Sequence, residues 1–364
     1  MKLSIITVVY NGEKVIERAI KSVIRQKNAD IEYIIVDGGS TDHTLDIITV
    51  YKDYITRMVS EPDQGIYDAM NKGAKLVTGD IVTFLNCDDW YEENVLQDVI
   101  GVFERNEIDI LCTDARIVNE YGSRIRSARL DGKTIIKQLP TSHQAIFATR
   151  KCFADVGEFN LKYSVSADFD WMTRSIIMNR KIEILHKTVV NFSTGGFSTD
   201  HSELCYEEIK EISFKYYSGT PLECDVKKYY AYKDYMRTGK EEDWEKGGFS
   251  EAILKLSIPD KKNIYLFGMG KVGAECCKLL EKLGYVITGF IDNYINDRQV
   301  SYMGKKIQIP EKMQAGKDYI IIASTKYEDD MKIQMKKMGF CEDRDFSTYT
   351  KIQEQVIYRD GLQS

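Results

Sequence analysis

The chain has 364 residues, 43% of them hydrophobic and 29% charged, with a net charge of -6 at pH 7. The length suits two domains, the balance of residues excludes a disordered chain, and the acid excess speaks against a nucleic-acid partner. No apolar run approaches the roughly 20 residues that a membrane-spanning helix needs.

In chain order, residues 3–9 are a β-branched apolar run that reads as a strand. Lys2 before it imitates a leader peptide, but the run stops at Asn11-Gly12 without a small-residue cleavage site, so no targeting signal is expected. Val15, Ile16, Ala19, Ile20 and Val23 repeat at helical spacing across 15–25. Strands at 32–36, 57–60 and 80–85 then alternate with helices at 44–51 and 66–77. This βαβαβαβ order predicts a mostly parallel sheet covered by helices on both faces. Further strands are expected at 108–113 and 188–193, a hairpin-like pair across 116–129 and a helix at 168–179. Residues 221–260, rich in Lys, Glu, Asp and Tyr, read as a helical connector. A second β-α alternation starts at Asn263, with strands at 264–267, 286–291 and 319–323 and a helix at 274–283. The expected organisation is a domain over 1–220, the connector 221–260, and a smaller Rossmann-like α/β domain over 261–364.

In a parallel sheet of this kind, ligands bind beyond the carboxyl ends of the strands. Polar loops stand at those ends: Asn11-Gly12, Asp37 to Asp42, Glu61 to Gly65, and Asn86 to Asp89. Within the last of these, Asp88 and Asp89 follow directly on an apolar strand. Adjacent carboxylates repel, so the pair needs a compensating cation or hydrogen-bond donors. A hard divalent ion held by one or two acids and a phosphate-bearing substrate would compensate it; capping of the following helix is the other reading.

The segments VVYNG, VDGGSTDHT, SEPDQGIYDAMNKGAKLVTGD and FLNCDDW, in this order, resemble family 2 glycosyltransferases of the GT-A fold, over about the first 200 residues. The resemblance implies a Rossmann-like mixed sheet in the first domain. It implies that Asp89 ligates Mn2+ or Mg2+, with Asp88 in the metal shell or at the donor ribose. It implies that Thr7, Tyr10 and Asp37 hold the nucleobase and that Asp63, Asp68 and Asn71 line the donor sugar, although Asp68 also reads as a helix cap. Gly38 stands where many relatives carry a second acid. Ser166-Ala167-Asp168-Phe169-Asp170 resembles the family's base-bearing motif, with Ala167 in place of the commoner first acid. The base falls on Asp168, with Asp170 as its competitor and Arg174 spaced to pair with Asp170. His143-Gln144 resembles an element between donor and acceptor regions, and Gly195-Gly196-Phe197-Ser198 a loop that closes over donor. The activity implied is metal-dependent, inverting transfer from a nucleoside diphosphate sugar, a UDP-sugar foremost. The acceptor would be a saccharide, free or linked to polyprenyl diphosphate, in surface polysaccharide assembly.

Gly268, Gly270 and Gly273 lie between a strand and a helix, and Asp292 follows about 20 residues on, which is a dinucleotide fingerprint. It allows a nucleotide or NAD in the second domain; a structural or dimerising role, giving a homo-oligomer, fits equally well. The alternative functions are a nucleotide-sugar-binding scaffold without turnover and an NAD-dependent sugar-nucleotide oxidoreductase. The connector's mixture of lysines and tyrosines suits either a membrane surface or a bridging helix with packed tyrosines. Eight cysteines without a C-x-x-C pair fit a reducing cytoplasm and no zinc site.

Overall fold

The computed structural model describes residues 1–119, 122–195, 201–249, 256–259, 262–294, 301–324 and 327–358. They fall into two compact units, Met1–Glu223 and Cys224–Ser364.

In the first unit β1 (Leu3–Val9), β2 (Ile31–Asp37), β3 (Arg57–Ser60) and β4 (Ile81–Asn86) are parallel and lie in the order β3-β2-β1-β4. The order reverses between β1 and β4, and the chain ends of two such strands open a crevice at that point. Register sets Val8 beside Asn86 and Val9 beside Asp37, so the loops after β1, β2 and β4 share one edge.

The sheet continues through β8 (Ile146–Thr149), β6 (Ile110–Asn119), β9 (Ile182–Ser193) and β5 (Trp90–Tyr91), while β7 (Gly122–Arg126) pairs with β6. β8 runs antiparallel to both β4 and β6, which makes the sheet mixed. At four and two residues, β8 and β5 are too short to show a periodicity, and neither was expected from the sequence.

Alternation along β1 explains the two cores. Leu3, Ile5 and Val9 belong to a cluster with Ile16, Ala19, Ile20 and Val23 of α1 (Ile16–Ile24). Ile6 and Val8 belong to the other, with Tyr67, Ala69 and Met70 of α3 (Ile66–Ala74). Thr7 shares the first face by strand period. The helix at Ser202–Tyr217 was not expected: its buried residues, Glu208, Ile212, Ser213 and Tyr217, include a carboxylate and a hydroxyl in place of an apolar stripe.

In the second unit β10 (Asn263–Phe267), β11 (Ile287–Ile291), β12 (Ser301–Tyr302), β13 (Lys305–Gln308), β14 (Asp318–Ile322) and β15 (Phe346–Thr348) form a sheet ordered β12-β13-β11-β10-β14-β15. It is parallel except for the short β12. The helix Lys271–Lys282 follows β10. A Cβ on Gly268 would meet the Ala323 carbonyl oxygen at 2.7 Å, and one on Gly273 the Gly268 carbonyl oxygen at 2.2 Å. Two of the three fingerprint glycines are thus required by close packing alone; around Gly270 the space is open. Asp292 follows β11 and accepts a 2.7 Å bond from the Tyr294 amide. In the segment expected to connect the units, the helix Glu223–Thr238 buries Tyr230, Tyr232 and Tyr235, with Tyr232 Oη 2.6 Å from Tyr349 Oη. No helix among the described residues is long and apolar enough to cross a membrane.

Candidate active site

The loops at the edge of the first sheet are stitched to one another. The Asn11 amide donates to Ser40 Oγ at 2.8 Å, the Thr41 amide to Asn11 Oδ1 at 2.9 Å, and the Gly12 amide to Thr44 Oγ1 at 2.8 Å. Asp37 is wholly buried and folds back on its own loop, where Oδ2 accepts from the amides of Gly39 and Ser40 and from Ser60 Oγ. A Cβ on Gly38 would sit 2.3 Å from Asp63 Oδ2, so the glycine that replaces a second acid makes room for Asp63.

Asp88 and Asp89 occupy a loop clamped from two sides. Arg18 of α1 lies over the Trp90 ring at 3.6 Å from its centroid and donates to the Asp88 carbonyl at 2.7 Å. On the other side the Ser193 amide at the end of β9 donates to Asp89 Oδ1 at 2.8 Å. The second oxygen, Asp89 Oδ2, is buried with no hydrogen-bond partner among the described residues, and so is Asn86 Oδ1. Burial pushes the Asp89 carboxyl well above the usual carboxylate range, and the Asp88 charge adds to it; the Ser193 amide and Arg18 oppose the shift. Burial also raises Asp88. Such a carboxylate asks for a cation. Among the described residues no cluster of three or more His, Cys, Asp or Glu could hold a metal by itself. The donor set therefore fits a hard divalent ion that completes its shell from water and substrate oxygens.

Asp168 stands in the first turn of α7 (Ala167–Ile177), with Oδ2 3.5 Å from His143 Nδ1. The His143 ring packs between Phe84 and Phe159, at 5.6 and 5.8 Å between centroids. Burial lowers its basicity, against the pull of Asp168. Among the described residues His143 Nε2 is buried without a hydrogen-bond partner, and Asp168 Oδ1 accepts from the Phe169 amide at 2.7 Å. His143, Asp168, Phe84, Phe159 and Trp171 border a small hollow of about 20 Å³. Asp170, two residues on, is fully buried and committed: Arg174 Nε lies at 2.8 Å and Tyr216 Oη at 3.1 Å.

Other sequence candidates have structural partners. Thr7 has no exposed surface and accepts from Tyr33 Oη at 3.1 Å; its face of β1 is the core face, so in this conformation it offers a ligand nothing. Asn71, 3% exposed, bonds both the amide and the carbonyl of Phe159 at 2.9 Å. Asp68 receives the Gln64 amide and pairs with Lys72 at 3.4 Å. Tyr10, by contrast, is 62% exposed at the end of β1. Residues 196–198 of the glycine loop lie outside the described residues.

Two positioning residues were missed. The Glu208 carboxylate accepts from the amides of Ser164, Val165 and Ser166 at 2.8, 3.0 and 2.8 Å and so fixes the approach to α7. Tyr67 of α3 donates to the Val165 carbonyl at 2.9 Å. Only a glutamate facing an amide-rich turn from 40 residues away would have signalled the first, and that separation is invisible to periodicity.

Residues 4–159 match the family model described as glycosyl transferase family 2, and residues 260–346 one described as C2185-like, N-terminal. A PGL/p-HBAD biosynthesis glycosyltransferase of Mycobacterium tuberculosis is 37% identical over 201 residues, covering 54% of this chain and 78% of the relative. An uncharacterized glycosyltransferase of Nostoc sp. is 32% identical over 142 residues, covering 38% and 44%. Among solved structures, that of S. aureus TarS superposes with a TM-score of 0.53 at 19% identity, over 68% of this chain and 47% of TarS, so the chain spans about half of that protein. A shorter TarS, residues 1–349 in complex with UDP-GlcNAc, gives 0.53 and 19%, over 68% and 78%. At this identity the likeness establishes the fold alone. The fold is thus that of the GT-A glycosyltransferases, a class of transferase. The chain belongs to glycosyltransferase family 2.

Proposed function

We propose that the first unit transfers a sugar, with inversion and with a divalent cation, from a UDP-sugar to a saccharide or lipid-linked saccharide acceptor in surface polysaccharide synthesis. The observation that carries the reading is Asp89 Oδ2, buried beside a second carboxylate and without a hydrogen-bond partner among the described residues. The complex of TarS 1–349 with UDP-GlcNAc supports the donor class.

When bound, Mn2+ or Mg2+ would be held by Asp89 with Asp88 beside it, and would offset the charge that grows on the departing diphosphate. The chain's own residues supply the rest. Arg18 and Ser193 hold the acidic loop in place before donor arrives. Asp168 accepts the proton of the attacking acceptor hydroxyl. His143, packed in aromatics with Nδ1 3.5 Å from Asp168 Oδ2, limits where that carboxylate can swing, and Glu208 fixes the start of its helix. Asp170 is assigned to structure, because Arg174 and Tyr216 already occupy both its oxygens. Of the donor-side residues, Tyr10 and Asp63 are the ones we assign to nucleotide contact, since Thr7 and Asn71 are consumed by the fold. Inversion follows from a single displacement, with one base and no covalent sugar.

The test is a thermal-shift panel of UDP, GDP, dTDP and NAD, each with Mn2+ or EDTA. A shift is expected with UDP and Mn2+ together, and its loss in Asp89→Asn. A UDP shift that is equal in EDTA, or one with NAD alone, would overturn the reading.

A further inference from the structure

Two nitrogens beside Asp168 have no part in the proposed mechanism. His143 Nε2 and Trp171 Nε1 are both buried, and neither has a hydrogen-bond partner among the described residues. Both residues line the small hollow next to the base, where nine side chains meet and all but His143, Asp168 and Trp171 are hydrocarbon. Both rings are fixed in place. The indole stacks on Phe153, with 5.4 Å between centroids and 24° between planes, and the imidazole packs between Phe84 and Phe159. Trp171 follows Asp168 by three residues on α7, so the two share a face of that helix.

Buried polar atoms without a match are rare in folded proteins, because each forfeits the hydrogen bond it made to solvent. The size of the hollow says what matches these two. Roughly 10 to 15 Å³ of space for a water's centre admits one molecule, and the hollow offers about 20 Å³. A sugar ring needs a pocket on the order of 300 Å³ or more. Chemistry then fixes the direction of the bonds. An indole nitrogen only donates, so a water between the two rings accepts from Trp171 and has its hydrogens left for His143; a ring nitrogen that accepts one of them carries no proton. The bond made by one nitrogen of a histidine decides which of the two is protonated.

We propose that one ordered water joins Trp171 Nε1 to His143 Nε2 and holds the imidazole in the tautomer whose proton is on Nδ1, 3.5 Å from Asp168 Oδ2. Trp171 is then a positioning residue that acts on the base through the water and His143. This rests on the reading of Asp168 as the base and deepens it, by naming what turns a hydrogen-bond donor towards that carboxylate. The separation shortens as the acceptor draws the carboxylate into line.

Nitrogen-15 NMR of the full chain tests it, since four histidines and three tryptophans leave few signals to assign. Cross-relaxation from water to the Trp171 indole hydrogen is expected. In mildly alkaline solution His143 should show a protonated Nδ1 and a bare Nε2. Trp171→benzothienylalanine keeps the shape of the ring and replaces its N–H by sulfur. That variant should mix the two tautomers and slow UDP release in single turnover by about fivefold, with UDP affinity in Mn2+ unchanged. A dry indole, a proton on Nε2 in the wild type, or a tautomer that survives in the variant would overturn the proposal. A tautomer lost in Asp168→Asn but kept in the Trp171 variant would give its control to the carboxylate and overturn it equally. Undiminished UDP release from a variant with mixed tautomers would leave the water no part in aiming the base, and so would end the proposal too. If Asp168→Asn transfers as well as the wild type, the base reading fails with the water and the tautomer still in place, so the two failures are told apart.

Discussion

At the scale of single residues, carboxylates in this chain divide into those the fold has satisfied and those it has not. Glu32 belongs to the first kind. Its burial would push its pKa up, but bonds from Ser4 Oγ, Thr78 and the Gly79 amide outweigh this and lower it to about 2. Because the folded value lies below the unfolded one, the stabilisation is complete above about pH 4.5 and drains away as pH falls towards 2. About 2 kcal/mol of it should be gone by pH 3; urea midpoints at pH 6 and pH 3 should therefore differ by less in Glu32→Gln than in the wild type. Asp89, with Oδ2 unpartnered among the described residues, belongs to the second kind. Asp168→Asn should leave UDP affinity in Mn2+ within about twofold and reduce transfer by a factor of at least about 100, measured as release of UDP in single turnover. His143→Ala should lower kcat by about tenfold with donor affinity unchanged, and a parallel rise in the donor Kd would mean that the ring only supports the aromatic packing around it.

At the scale of elements, the two halves of the site are joined by side chains that reach from one element to the backbone of another. Asn71 and Tyr67 of α3 hold the backbone at Phe159 and Val165, so the helix behind the donor edge sets the path towards α7. Glu208 does the same from the helix Ser202–Tyr217. Glu208→Ala would strand several buried amides at a cost of about 3 kcal/mol, a fall in Tm of roughly 6 to 12 °C for a unit of this size. Glu208→Gln should recover part of it, since the amide oxygen still accepts. A loss of Tm in both variants without any loss of transfer at low temperature would show that the turn needs no such anchor to aim Asp168.

For the whole molecule, the division at Glu223 and Cys224 leaves the acidic loop, His143, Asp168 and Glu208 in one unit. We therefore expect residues 1–223 alone to fold and to bind UDP with Mn2+ as the full chain does; loss of binding by a folded fragment would give the second unit a part in donor capture. The sequence alone determined the alternation of strands and helices over residues 3–86, because the apolar runs of β1, β2 and β4 are long enough to read as strands and the four-residue β3 is bracketed by turn-forming residues. It also singled out the Asp88-Asp89 pair and Asp168 as candidates, since short motifs keep their order along the chain. It preferred Asp168 to Asp170 by position alone, and could not see that Asp170, Thr7 and Asn71 are bonded to distant elements. Those distinctions depend on which groups arrive from distant elements: Arg174 and Tyr216 against Asp170, Tyr33 against Thr7, Phe159 against Asn71. A hydrogen-bond partner 26 or 88 residues away leaves no local trace, because periodicity reports only the face a residue takes and tertiary packing decides what meets it there.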